Sequence, residues 1–247
     1  MRRPLPPEHK PPWRAVAMLA MASLLSPGVH AASPSNDQNP PCADVYNTMR
    51  GPISPLDYRN QRQLLHNVES NHFTSQVENL VRAQNGGRAS GGDLGGDIDY
   101  VLHLYPNHHR ALVAMTRFGE RTQTNKPPAA FYTVECYYTR ALDFRPDDHI
   151  VRLLYADFLR KKNRRDDALA QLAVVMKGVP DDPLARYNAG LIYAGLGEYK
   201  LALEQAQFAL RAGYYKTDLV DQLKKAGQWV ELPEKAPDAA SAPNRNP

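Results

Sequence analysis

Small and apolar residues recur through the second half of the chain at the three-and-four spacing of amphipathic helices, in runs of about 13 residues broken by short polar turns. The stretch Asp182 to Tyr215 carries Tyr187, Asn188, Ala189, Gly190, Tyr193, Gly197, Tyr199, Ala202, Leu203, Ala209 and Leu210. Subtracting 34 recovers it in outline: Ala156 lies under Gly190, Leu159 under Tyr193, Ala168 under Ala202, and Val175 under Ala209. Pro146 and Pro180 keep the same step of 34, whereas Pro106 to Pro146 is 40, one period and six residues more. The surplus fits the turn around Asn125-Lys126-Pro127-Pro128, and Ala141 falls one period before Val175, so 107–146 reads as a divergent copy. Its second helix carries Tyr137, Tyr138, Ala141, Leu142 and Phe144. A 34-residue period with small residues at fixed places predicts helix–turn–helix units, hence an all-α fold in which each pair buries its stripe on its neighbours.

The flanks are less periodic. Residues 1–31 read as a secretory signal: a basic start ending at Arg14, the apolar run Ala15 to Leu25, the breakers Pro27 and Gly28, and Val29-His30-Ala31 as a cleavage site. That run is too short to span roughly 30 Å of hydrocarbon, so no transmembrane anchor is expected after processing. Residues 32–41 form a linker. Residues 42–106 form an N-terminal region, with an extended segment to Asn60 that buries Tyr46, Ile53, Leu56 and Tyr58. A helix starts at the capping-box spacing of Ser75-Gln76-Val77-Glu78, a glycine-rich loop covers 85–96, and Asp97-Ile98-Asp99 opens a short helix through Leu104. After the units 107–146, 147–182 and 183–215, residues 216–230 give a capping helix. Leu219, Val220 and Leu223 face inward, Asp221, Lys224 and Lys225 face outward, and Trp229 folds back beneath it. Residues 231–247 read as a disordered tail.

Residues 183–214, and more loosely 149–182, resemble the tetratricopeptide repeat (TPR) family. Gly190 stands at its small position on helix A and Ala202 and Ala209 at its alanines on helix B, although Tyr214 replaces the closing proline. The resemblance implies a right-handed α-solenoid of helical hairpins. It also implies a concave groove lined by the fifth, ninth, twelfth and thirteenth places of each helix A. By register these are Val113, Arg117, Glu120 and Arg121, then Leu153, Asp157, Arg160 and Lys161, then Tyr187, Leu191, Ala194 and Gly195. A basic stretch beside an apolar one suits an extended peptide with acidic groups or a free carboxylate. The family implies an interaction module, so the expectation is an exported scaffold or adaptor for a protein or peptide in envelope assembly or secretion, periplasmic or secreted, with no cofactor.

Net charge is +4, but Arg2, Arg3, Lys10 and Arg14 against Glu8 supply +3 of it, leaving little attraction for nucleic acid after processing. Cys42 and Cys136 are the two cysteines. An exported pair oxidises, and in the family register Cys136 faces outward, able to tie the extended segment across the first repeat; two free thiols are the alternative. Tyr187, Tyr193, Tyr199 and Phe208 read as inter-helix packing. His66, His72, His103, His108 and His109 crowd together without HExxH or i,i+4 spacing, and the aspartates of 91–99 lack the order of a calcium loop, so no metal site is expected. Asp93 or Asp97 is expected to cap a helix instead. No serine-nucleophile motif or P-loop occurs. The competing reading is an envelope enzyme or metal-binding protein whose site in 42–106 gathers His66, His72, Asp97 and His103.

Overall fold

Three helix starts obey one local rule. Each follows a proline by two residues, in Pro106-Asn107-His108, Pro146-Asp147-Asp148 and Pro180-Asp181-Asp182. In each the side chain at the cap accepts a backbone N–H of the first turn: His108 Nδ1 from Ala111 at 3.1 Å, Asp148 Oδ1 from Val151 at 3.1 Å, and Asp182 Oδ1 from Leu184 and Ala185 at 2.9 and 3.1 Å. The helices they open are the first members of three successive helix pairs.

The computed structural model describes residues 42, 55–81 and 93–231, which all fall in one compact unit, 39–247. The expected signal, linker, most of the extended segment, the glycine-rich loop as far as residue 92, and the tail beyond 231 lie outside the described residues. Among the described residues the chain is all-helical, without a strand: α1 (Leu65–His72), α2 (Ser75–Glu78), α3 (Leu94–Leu104), α4 (His109–Thr122), α5 (Val134–Phe144), α6 (His149–Lys161), α7 (Arg165–Gly178), α8 (Pro183–Gly195), α9 (Tyr199–Arg211) and α10 (Asp218–Lys225). None of these helices is long and apolar enough to cross a membrane.

Short turns join α6 to α7 and α8 to α9, each passing through a left-handed residue at the same place, Asn163 (φ 60°) and Gly197 (φ 78°). Within the series α4, α6, α8, α10 each helix packs on the next, and α5, α7 and α9 each pack between two successive members of it. The small residues sit where this demands close approach. Ala156, Ala168 and Ala202 are fully buried and Ala209 nearly so, and a Cβ on Gly190 would overlap Leu219 Cδ2 of α10. Tyr187 and Tyr193 are buried as packing residues, and Phe208 carries the Arg186 guanidinium 4.2 Å above its ring, but Tyr199 is 37% exposed. The interior consists of two apolar clusters that share α6: Tyr155, Phe158 and Leu159 belong to the N-terminal one, Leu153 and Ala156 to the C-terminal one. Trp229 packs against the second cluster.

The N-terminal region departs from expectation. A helix at 65–72 precedes the one at Ser75, whose cap position, Thr74, makes no side-chain bond. The third helix begins at Leu94 rather than Asp97, with Asp93 at the cap position but making no side-chain cap bond, while Asp97 is buried inside the first turn and bonded to His72 at 3.0 Å. Leu56 and Tyr58 pack partly buried on the first cluster, and between them Asp57, 2% exposed, enters a polar clasp. Asn107 donates to Asp57 and to the cap Asp148, both at 2.8 Å, while Arg59 and Arg145 each bond Asp57 at 2.7 Å. Burial alone would raise the Asp57 carboxyl, but these hydrogen bonds outweigh it and hold its pKa far below the ordinary carboxylate range.

Cys42 and Cys136 are bonded as a disulfide, with Cα atoms 5.3 Å apart. Cys136 does not face outward as its register implied: it is 4% exposed within the first cluster, because α5 is sandwiched between α4 and α6 and its flank is closed by neighbours.

Candidate functional site

The first members of the helix pairs, α4, α6 and α8, lie side by side, and the face they share is where the expected groove residues can be placed. On α4 Val113 is half-buried while Arg117, Glu120 and Arg121 are exposed. On α6 and α8 the same register sends the fifth residue inward: Leu153 is 7% and Tyr187 4% exposed. The reason is the close packing of α6 on α8, which draws Leu153 into the second cluster, and the turn after α9, which lays Tyr214 against Tyr187 with ring centroids 5.0 Å apart. Tyr187 also donates its hydroxyl to Asp218 at 3.0 Å, and burial, with Asp218 adding, pushes its pKa up to about 12. Neither residue is open to a partner. Leu191 and Ala194 are partly buried against the same cluster, and Gly195 lies beneath the Arg160 side chain, where a Cβ would come within 2.9 Å of Arg160 Cδ.

The expected basic stretch is largely neutralised within the molecule. Arg160 bonds Asp157 at 2.7 Å, and Lys161 bridges Glu120 at 3.0 Å and Asp157 at 3.3 Å. Burial alone would lower the Lys161 ammonium, but these two carboxylates win and raise it. Arg121 donates to the backbone carbonyl of Leu80 at 2.6 Å, and Arg110 forms a forked pair with Glu78. Arg110 is thereby the main cause of a lowered Glu78 pKa. Arg117 differs: it is exposed and makes no hydrogen bond or ion pair among the described residues.

Beside Arg117 the face opens into a cleft of about 200 Å³, walled by Val113 and Ala114 of α4, Ile150 and Leu154 of α6, and Arg110 with Glu78 at its rim. Ile150 is 51% exposed, an uncovered aliphatic side chain on an otherwise well-packed helix. The expected list missed Ile150, Leu154 and Arg110, which occupy the second and sixth places of their helices. An isoleucine directly after the cap and its histidine, where a solvent-facing turn favours polar residues, was the available signal. A second recess of about 100 Å³, between Glu120, Asn125, Phe158 and Lys162, is partly bridged by a Lys162–Asn125 hydrogen bond of 3.0 Å.

The N-terminal histidines do not converge. His72 pairs with Asp97 (3.0 Å), His103 with Asp99 (3.2 Å), His108 with Glu69 (3.1 Å) and His109 with Asp148 (3.0 Å), while His66 is exposed. Asp99 also accepts from the Tyr137 hydroxyl and the Phe131 amide. Among the described residues no group of three His, Cys, Asp or Glu side chains is placed to hold a metal ion. His66, His72, Asp97 and His103 are thus not gathered into one such group.

Among the described residues these features define an all-helical arrangement of successively packed helix pairs with an open, partly apolar cleft. Compared with protein-family models, curated proteins and solved structures, the chain matches none.

Proposed function

We propose that this chain is an exported scaffold or adaptor that binds a protein or peptide on the exposed face of α4 and α6, serving envelope assembly or secretion. The reading takes the stacked pairs as a right-handed α-solenoid of the TPR kind, whose first helices present a continuous side. The observation that carries it is the cleft, where exposed Ile150 and half-buried Leu154 lie beside Arg117, which has no hydrogen bond or ion pair among the described residues. An apolar depression rimmed by charge is the usual signature of a protein-docking surface. The Cys42–Cys136 disulfide suits an oxidising compartment such as the periplasm or the exterior.

A photo-crosslinking residue at Ile150, expressed in native cells, tests this. A discrete adduct with another protein is expected from that position and not from the exposed Lys177 at the end of α7. Identical adducts from both positions, or none from Ile150, would remove the docking assignment.

A further inference from the structure

Resting on that reading, we infer that the cleft takes a peptide segment in which a carboxylate side chain lies close to an aliphatic one. The chain shows this chemistry on the adjoining flank of α4, where its own segment after α1 is seated. There Glu78 bonds Arg110 at 2.7 Å through Nε, and two residues later Leu80 is 6% exposed in the first cluster, its carbonyl held by Arg121 at 2.6 Å. Leu80, at φ 59°, is the left-handed residue that ends α2, its turn closed by the Val81 amide on the Gln76 carbonyl at 2.7 Å and its own amide on the Val77 carbonyl at 3.0 Å, and this turn delivers its side chain into the first cluster. An arginine pair on α4 thus grips an acidic residue and a leucine in succession.

The open cleft offers the same two elements without an occupant from the described residues. Arg117 supplies the cation, and Val113, Ile150 and Leu154 supply the apolar floor. The surrounding charges narrow the partner further. Arg110 is satisfied by Glu78 and Glu69, and Arg160 and Lys161 by Asp157 and Glu120, so among the described residues Arg117 is the cation at the cleft with no hydrogen-bonded or ion-paired carboxylate, Glu78 acting on it only through space. That matches one carboxylate and not a polyanion such as nucleic acid, which would need an extended row of free basic residues. At about 200 Å³ the space is smaller than the ~300–1,000 Å³ of whole-ligand sites, and it fits a side chain of a longer peptide.

The test uses the processed, oxidised chain and short fluorescein-labelled glycine–serine peptides carrying Glu-Ser-Leu, Gln-Ser-Leu or Glu-Ser-Ala, read by anisotropy. Glu-Ser-Leu should bind, and each altered peptide should bind about tenfold more weakly. Arg117→Glu, at an exposed position and checked for fold by circular dichroism, should lose Glu-Ser-Leu and gain Lys-Ser-Leu. Ile150→Asp should bring Glu-Ser-Leu down to the level of Glu-Ser-Ala. Equal binding of the Glu and Gln peptides, indifference to Arg117→Glu, or no binding of any peptide overturns the inference. If the crosslinker at Ile150 captures another protein while Glu-Ser-Leu does not bind, the acidic–aliphatic specificity falls and the docking face stands. If it captures a second copy of this chain, the occupant is the chain itself and the inference falls.

Discussion

Arg152 of α6 donates to Gln171 of α7 at 2.8 Å, across the two helices of one pair. One period later Arg186 of α8 donates to Gln205 of α9 at 2.9 Å. Both arginines also reach back to the proline carbonyl before their helix, Pro146 at 2.8 Å and Pro180 at 2.5 Å. The tie is therefore repeated in three parts, joining the entry loop, the first helix and the second. Gln205 is 4% exposed, so removing its amide strands part of the Arg186 guanidinium. Gln205→Leu is expected to cost about 1–2 kcal/mol, and a double-mutant cycle with Arg186→Met should return a coupling of about 1 kcal/mol in urea unfolding. A coupling near zero would make the tie decorative.

His108 gives a pH signature with a definite sign. It is fully buried, accepts from Ala111 through Nδ1 and so donates through Nε2 to Glu69, which requires the neutral ring. Burial pushes its pKa down to about 3 from the ordinary 6.5. A lowered histidine pKa stabilises the fold fully above 6.5 and progressively less as pH falls toward 3, since the unfolded chain takes up a proton that the folded one refuses. Between pH 7 and pH 5 the loss from this residue is about 2 kcal/mol. Unfolding midpoints across that range should fall more steeply for the parent than for His108→Asn, which keeps a capping side chain.

Gly190 sets the distance between α8 and the capping helix α10. A Cβ there would overlap Leu219 Cδ2 and lie 3.1 Å from Gln205 Cβ. Gly190→Val should destabilise by about 1–3 kcal/mol and should first raise hydrogen exchange in 218–225, the segment that must move.

Breaking the disulfide should be costly. Its two cysteines are 94 positions apart, and the chain-entropy model puts the stabilisation from closing such a loop at about 4–5 kcal/mol. Cys42→Ser with Cys136→Ser should lower unfolding free energy by a large fraction of that, measured against the oxidised parent without reductant.

Charge reversal separates the two halves of the proposed docking face. Arg160→Glu with Lys161→Glu breaks exposed pairs that contribute about 1 kcal/mol or less, and it leaves the cleft intact. Arg117→Glu should therefore weaken adduct formation from Ile150 more than the double variant does. The reverse order would move the site toward the end of α6.

The repeated architecture was legible because its requirements are local or periodic. Ala156, Ala168, Ala202 and Gly190 are small for a steric reason that recurs every 34 residues, and the caps at Asp148 and Asp182 need only the next turn. Applying the same subtraction to polar residues would also have exposed Arg152 with Arg186 and Gln171 with Gln205. The clasp was not legible, since Asp57 meets Asn107 across 50 residues and Arg145 across 88, and nothing in a window of sequence couples them. The face was legible only in part. Register alone located Arg117 in the open and Val113 in the wall of the cleft, but the burial of Leu153 and Tyr187 depends on how closely particular helices approach, which spacing does not encode.

The cystine between residue 42 and α5 turns everything from 43 to 135 into a closed ring of covalent bonds. A protease that cuts once inside that ring linearises it without releasing a fragment, so the severed halves stay on one molecule and can re-engage. The first helices and the start of the helix pairs are thereby insured against a single nick.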